Sequence, residues 1–282
     1  METRSVLIAG CGYLGEAAAG FFLEAGWKVC GLCATRESAA RFDGAPFPVL
    51  AKDISQPIDV ESLWHSPDLL IHCASSGRGG EEAYRKVYLD GLRNLVTAYA
   101  PKRVIFTGST SVYAQVDGAR VTEDSPTLPD RGTGRILLEA EQVALNAGGT
   151  VARLSGIYGP GRSVLLRKFM EGSAVLESGG GRVINQIHRD DAARALLALA
   201  DAPAGIYNVS DNTPATQREV YGWIAAHLGR PLPAEGPADL GRKRGWTNKR
   251  VDNSKLRGIG WSPVFSSYSE ALSILVAGAQ ND

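Results

Sequence analysis

The chain has no net charge: Lys and Arg number 30, and so do Asp and Glu. A balance of this kind offers no bulk attraction to a nucleic acid or an anionic membrane, so no nucleic-acid partner is expected. Long apolar runs are missing too. None reaches the length of a bilayer span, and the N-terminus enters an apolar strand without the pattern of a secretory signal. No membrane partner and a cytoplasmic location are therefore the expectation. Cysteine is scarce, and all four, Cys11, Cys30, Cys33 and Cys73, fall within the first 73 residues. Cys30-Gly31-Leu32-Cys33 has C-x-x-C spacing, but on a strand, without the helix N-terminus that lowers a thiol pKa. No second Cys/His pair stands at zinc-like spacing, so no metal is expected, and the cysteines read as buried and reduced.

Glycine is what the chain has in quantity, at 33 residues. The apolar run Ser5-Val6-Leu7-Ile8-Ala9 reads as a buried parallel strand. It breaks at Gly10-Cys11-Gly12-Tyr13-Leu14-Gly15, a G-x-G-x-x-G, and a helical pattern follows with Leu14, Ala17, Ala18, Phe21 and Ala25 on one face. Gly10 permits the tight turn, Gly12 removes a side chain that would block a pyrophosphate, and Gly15 lets the helix lie close on the strand. The helix N-terminus then presents unpaired N–H groups to phosphate. In the strand-turn-helix context this predicts dinucleotide binding.

Strands and helices alternate through the first half. Lys28–Ala34, Pro48–Asp53, Leu69–Ala74, Arg103–Thr107 and Thr150–Leu154 read as further strands, with helices over Tyr84–Ala100 and from about Thr133 to Ala147. This pattern predicts an α/β chain: a Rossmann-type, doubly wound parallel sheet with a small C-terminal substrate lobe. Residues 1–155 are assigned to the dinucleotide-binding domain, completed by about 183–210, and 156–182 with 211–282 to the lobe. Asp190 and Asp191 are placed to cap a helix, and another runs from Gln217 to Leu228 before Gly229. In such a sheet the ligand lies beyond the carboxyl ends of the strands.

The second strand runs into Ala34-Thr35-Arg36, where an NAD-specific fold usually carries an acidic residue. Arg36 is suited to pair with a 2′-phosphate and favours NADP, while Glu37 keeps NAD open. Asp53, ending the third strand, reads either as an acceptor for the adenine amino group or as the cap of the following turn.

Three blocks carry a resemblance to a known family: Gly12-Tyr13-Leu14-Gly15, then Phe106-Thr107-Gly108-Ser109-Thr110-Ser111-Val112-Tyr113, then Arg153-Leu154-Ser155-Gly156-Ile157-Tyr158-Gly159-Pro160-Gly161-Arg162. With Ile187–Asp191, Ile206–Asp211 and Lys249–Val251 in the expected order, the chain resembles the extended, atypical short-chain dehydrogenase/reductases, the NAD-dependent epimerase/dehydratases. The resemblance implies a substrate-polarising hydroxyl at Ser109, phosphate-turn contacts from Gly10, Cys11, Gly12, Tyr13, Leu14 and Gly15, and cofactor contacts from Cys73, Ala74, Ser75 and Thr107. It implies a small-molecule substrate, sugar-nucleotide-like or otherwise oxygenated, and a homodimer through paired helices.

One part of the family pattern is missing. A Tyr-x-x-x-Lys supplies acid/base chemistry in relatives, yet Pro129–Glu139 contains no tyrosine, and Arg135 stands near the lysine position. Arg135 can hold a ribose or a substrate anion, but its pKa above about 12 bars it from proton transfer. Asp90 stands near the place of a family asparagine. Tyr158 becomes the proton-transfer candidate, while His188 and His72 read as structural, and Arg162, Arg167 and Lys168 suit a phosphorylated substrate or plain solvent. Two functions follow: an NADP- or NAD-dependent oxidoreductase or epimerase with an unusual proton donor, or an inactive sensor of the nicotinamide pool.

Overall fold

Seven short runs rich in Val, Ile and Leu align as one parallel sheet in the computed structural model, which describes residues 3–59, 64, 66–77, 79–241 and 245–279. They are β1 (Ser5–Ala9), β2 (Lys28–Cys33), β3 (Val49–Ala51), β4 (Leu69–His72), β5 (Val104–Ser109), β6 (Thr150–Leu154) and β7 (Gly205–Val209). The order across the sheet is β7-β6-β5-β4-β1-β2-β3. Val6 of β1 stands between Val29 of β2 and Leu69 of β4. The sheet therefore grows in opposite directions from β1, and a crevice opens beyond the ends of β1 and β4.

The helices are α1 (Tyr13–Glu24), α2 (Arg36–Ala40), α3, α4 (Gly132–Asn146), α5 (Val164–Met170), α6 (Arg189–Leu199), α7 (Gln217–Leu228) and α8 (Leu272–Ala279). α3 is composite: α-helical over Glu81–Tyr84, π-helical over Arg85–Asp90 and α-helical again over Gly91–Tyr99. α1 and α6 cover one face of the sheet, burying Val6, Ile8, Ile71 and Ile105. α3 and α4 cover the other, over Leu7, Leu70, Phe106 and Val151. A separate core joins Leu166 and Phe169 of α5 to Tyr221 and Ile224 of α7 and Leu275 of α8. α7 begins with a reciprocal cap between Thr216 and Glu219 and ends at Gly229 in the left-handed region.

Several expectations are corrected by packing. The buried stripe of α1 is Leu14, Gly15, Ala18, Ala19 and Phe22, so the face is rotated by about a residue, and Phe21 lies beneath the Arg194 guanidinium. β2 stops at Cys33, and β3 is only Val49–Ala51. β4 ends at His72 because Cys73 and Ala74 swing past Gly10, whereas β5 continues two residues further, to Ser109. Neither Asp190 nor Asp191 caps α6. The cap is His188, whose ring Nδ1 accepts from the Asp190 N–H at 3.2 Å. Asp191 is buried instead and accepts from the N–H groups of Val264 and Phe265 at 2.9 and 3.0 Å. All four cysteines are free, but Cys73 is half-buried where full burial was expected.

His72 joins the sheet to the π-helical turn: its Nε2 lies 2.9 Å from the Val87 carbonyl and, as the donor, carries the ring proton. The ring is fully buried, which holds its pKa near 4 against a reference of 6.5. Between those values the unfolded chain takes up a proton that the folded chain refuses, so stability is lost as pH falls through that window. The loss reaches about 3 kcal/mol at 1.36 kcal/mol per pKa unit. Urea unfolding at pH 7 and pH 4.5 should show His72→Phe losing about 2 kcal/mol less than the wild type over that interval.

Candidate functional site

The turn between β1 and α1 is built by close approaches. Gly10 has φ +92°, and a methyl group there would overlap the backbone of Ala74 and Cys73. The N–H groups of Gly10 and Cys11 both donate to the Leu32 carbonyl of β2 at 2.9 Å. A methyl on Gly15 would overlap the Gly10 carbonyl oxygen and press on Ile8, so α1 lies directly on the turn. At Gly12 nothing stands within 4 Å of the side-chain position. Gly12 is also the N-cap of α1 and has no side chain to occupy the first N–H groups of the helix. The result is an open cradle of backbone donors, which fits an anionic pyrophosphate.

Side chains of the turn point elsewhere. Cys11 packs inward against Gly31, and burial, helped by neighbouring thiols, pushes its pKa up to about 12. Leu14 joins the core. Tyr13 leaves the turn and donates its hydroxyl to the Pro160 carbonyl at 3.1 Å, with the Arg162 and Arg189 guanidinium groups 5.1 and 5.2 Å from its ring centroid. It thereby ties the glycine turn to the loop after β6. Beside that loop lies a cavity of about 310 Å³ bordered by Arg162, Ser163, Arg167 and Leu275.

The ends of the other strands bring the remaining candidates to the same side of the sheet. Ser75 Oγ accepts from the Gly77 N–H at 3.3 Å and from the Tyr88 hydroxyl at 3.4 Å. Thr107 donates to the His72 carbonyl at 2.8 Å, so its hydroxyl proton ties β5 to β4. Ser109 closes β5, and its Oγ accepts from the Ser111 N–H at 3.2 Å. Arg36 is exposed at the start of α2, next to the cap Thr35. Asp53 accepts from the Ser55 N–H at 2.9 Å, which makes it the cap of the turn after β3. Asp90 is part of a loose surface pair with Arg93 at 3.7 Å.

Tyr158 and Arg135, the other two catalytic candidates, are held by local contacts. Tyr158 is 1% exposed, on a short strand (Gly156–Tyr158) paired with Gln186–His188. Its ring meets those of His188 and Tyr268 edge-on at 5.4 and 4.8 Å, and burial drives its pKa well up. The motif places it after β6, but its packing assigns it to the core of the lobe. Arg135 is exposed, and its Nη1 donates to the Asp130 carbonyl at 3.0 Å, which pins the entry into α4. Arg131, the N-cap of that helix, reaches the Leu240 carbonyl at 3.2 Å.

The structure also shows groups that sequence reasoning missed. The carboxylate of Glu81 lies where a side chain on Gly132 would have to go, at the first turn of α4. Arg153 on β6 grips Glu141 of α4 through Nε (3.0 Å) and Nη2 (2.6 Å) and donates from Nη1 to the Tyr113 hydroxyl at 2.9 Å. Tyr113 in turn donates to Asn208 Oδ1 at 2.8 Å. This network underlies the strand that ends in Ser109. Among the described residues no His/Cys/Asp/Glu group suits a metal ion, and no helix is long and apolar enough to cross a membrane.

Comparison with known proteins agrees with this architecture. The model of the NAD dependent epimerase/dehydratase family matches residues 6–210. Protein YeeZ of Escherichia coli K12 is 30% identical over 267 residues, covering 90% of this chain and 93% of that protein. A 3-diazoavenalumate denitrifying reductase from a Streptomyces species is 28% identical over 302 residues, covering 95% and 98%. Among solved structures, a Methylobacillus flagellatus protein assigned to the NAD-dependent epimerase/dehydratases superposes over 100% of both chains, at TM-score 0.82 and 29% identity. UDP-glucuronic acid 4-epimerase from Bacillus cereus, solved with UDP-glucuronic acid and NAD, gives TM-score 0.82 over 99% of both chains. At 18% identity that likeness is one of fold alone.

Proposed function

Because the chain belongs to the NAD dependent epimerase/dehydratase family, we propose that it is a nicotinamide-dependent oxidoreductase acting on a small oxygenated substrate. The observation that carries this reading is the open cradle at Gly12, flanked by the close approaches at Gly10 and Gly15. The N–H groups of Gly10, Cys11 and Gly12 shape the turn by bonding to Leu32 and Gly10. The first N–H groups of α1, from Tyr13 to Gly15, would therefore hold the pyrophosphate, and Cys73, Ala74 and Ser75 would line the passage beyond β4. The cofactor supplies hydride, or accepts it, when bound. Ser109 would direct its hydroxyl to the substrate oxygen, and Tyr13 would hold the loop after β6 against the phosphate turn.

Within this family reading we favour reduction over epimerisation. An epimerase removes a proton and a hydride from an alcohol and then restores them, which demands a reversible proton shuttle. A reduction adds hydride and needs one proton delivered to the substrate oxygen, which a water molecule can give. Here Arg131 caps α4 and Arg135 stands in its first turn, and guanidinium groups do not shuttle protons near neutral pH. A reductase among the relatives supports the same choice. NAD is taken as the cofactor class, with NADP favoured by Arg36. Domain use follows the sheet for the cofactor and the α5–α7–α8 lobe for the substrate.

Thermal unfolding with NAD, NADH, NADP and NADPH tests the reading. A ligand at a hundred times its dissociation constant adds about 2.7 kcal/mol, which for a chain of this size is a rise of roughly 5–10 °C. A larger rise with the phosphorylated pair is expected, and Arg36→Glu should reverse that preference. No rise with any of the four would overturn the assignment.

A further inference from the structure

Segment 245–251 passes between the loop after β5 and the stretch before α6, and it gathers polar groups that the fold leaves unpaired. Asn248 N donates to the Gln115 carbonyl at 2.9 Å, and Asn248 Oδ1 accepts from the Val183 N–H at 2.9 Å. On either side of this crossing, Gln115 Oε1 and Trp246 Nε1 are buried without a hydrogen-bond partner. Buried polar atoms in native proteins are nearly always paired, and each exception calls for a reason.

Lys249 lies in the same crossing. It is 4% exposed, and its Nζ donates to the Tyr113 carbonyl at 2.9 Å and to Thr247 Oγ1 at 2.8 Å, both neutral acceptors. Among the described residues it has no ion pair. Burial, with the Arg182 guanidinium adding to it, lowers its pKa to about 8. Arg182 is itself largely buried, with Glu177 3.2 Å from its Nε. Arg182 thus has a carboxylate of its own, while the Lys249 ammonium beside it has none among the described residues. A buried charge is costly unless it is balanced and hydrogen-bonded, so the surplus positive charge marks the place of an anion.

This crossing also lies on the functional side of the sheet. Tyr113, whose carbonyl receives Lys249, stands four residues beyond Ser109, directly after the turn Thr110–Val112. By contrast, the basic residues that sequence reading offered to a phosphate are at the surface: Arg167 pairs with Glu171 at 3.1 Å, and Arg162 and Lys168 are exposed.

We propose that Lys249 and Arg182 form the seat of an oxyanion, a carboxylate or a phosphate, carried by the substrate, with the Trp246 N–H as a further donor. This rests on the reading of the chain as a nicotinamide-dependent enzyme with its substrate beyond Ser109. Lys249 supplies the charge that no protein carboxylate cancels, and Arg182 supplies a planar fork suited to two oxygens.

The test uses the whole chain, with inorganic phosphate and benzoate as probes titrated against chloride at constant ionic strength, read by thermal unfolding. Wild type, Lys249→Met and Arg182→Gln are compared. One probe should raise the wild-type Tm above the chloride control, phosphate if the seat reads a phosphoryl group and benzoate if it reads a carboxylate. Each variant should need at least tenfold more of that probe for the same rise, while its response to NAD stays as in the wild type. Should Lys249→Met fail to fold, Arg182→Gln decides alone. Failure of both probes to raise the wild-type Tm, or an equal response in the variants, overturns the proposal. A wild type that answers the probe but none of the nicotinamide dinucleotides would retain the oxyanion seat and discard the functional reading instead.

Discussion

Alanine at Gly12 should abolish dinucleotide binding and leave the Tm of the ligand-free protein unchanged. Its backbone, at φ −108°, is open to any residue, and no atom stands within 4 Å of the added methyl group. The methyl would occupy the face of the turn that presents N–H groups to a pyrophosphate. Gly15→Ala should behave in the opposite way. Its methyl would overlap the Gly10 carbonyl, which is backbone and cannot rotate aside. Overpacking of this kind costs about 1–3 kcal/mol, or roughly 2–12 °C in Tm, and lifts α1 off the turn. Calorimetric titration with NAD beside thermal unfolding separates the two variants. If Gly12→Ala bound NAD as the wild type does, the turn would not be the phosphate site.

The second large effect is expected at Arg153. Arg153 and Glu141 are each 3% exposed, and the pair is closed by two-point contact and by Tyr113. Arg153→Met keeps much of the volume but strands a buried carboxylate and removes a donor from the Tyr113 hydroxyl. Breaking a buried pair in this way costs about 3–5 kcal/mol, a fall in Tm of roughly 6–20 °C. Adding Glu141→Leu should restore most of the loss, because the pair also carries the desolvation of both charges. Urea unfolding of the single and double variants measures this, and a double variant no more stable than Arg153→Met would show that the cost lies in packing alone. A methyl group added at Gly108 would also meet Glu141, at 3.1 Å, so the network and the end of β5 are built together.

Much of this architecture was legible in the residues themselves. β6 and α7 were read to the residue, and β1 with its glycine turn emerged from a five-residue apolar run and three glycines. These signals are local. Apolar alternation over one strand, or a cap and a closing glycine on one helix, depends on neighbours within a few positions. Boundaries failed where remote backbone intervened, as at the end of β4, where the chain must pass Gly10. The cap of α6 was missed because a histidine nitrogen took the place usually given to an aspartate oxygen.

The candidate site divides along the same line. The sequence by itself determined the class of sheet, the glycine turn and the absence of a tyrosine–lysine pair from the start of α4. Only the tertiary structure decided what surrounds them: Tyr158 is sealed in the lobe, Glu81 reaches Gly132, and Lys249 meets the carbonyl of Tyr113. The last two partners are 51 and 136 residues apart, and no period or motif connects them. A glycine's steric freedom is a property of its own backbone. The burial and pairing of a charge are properties of whatever distant segments pack around it.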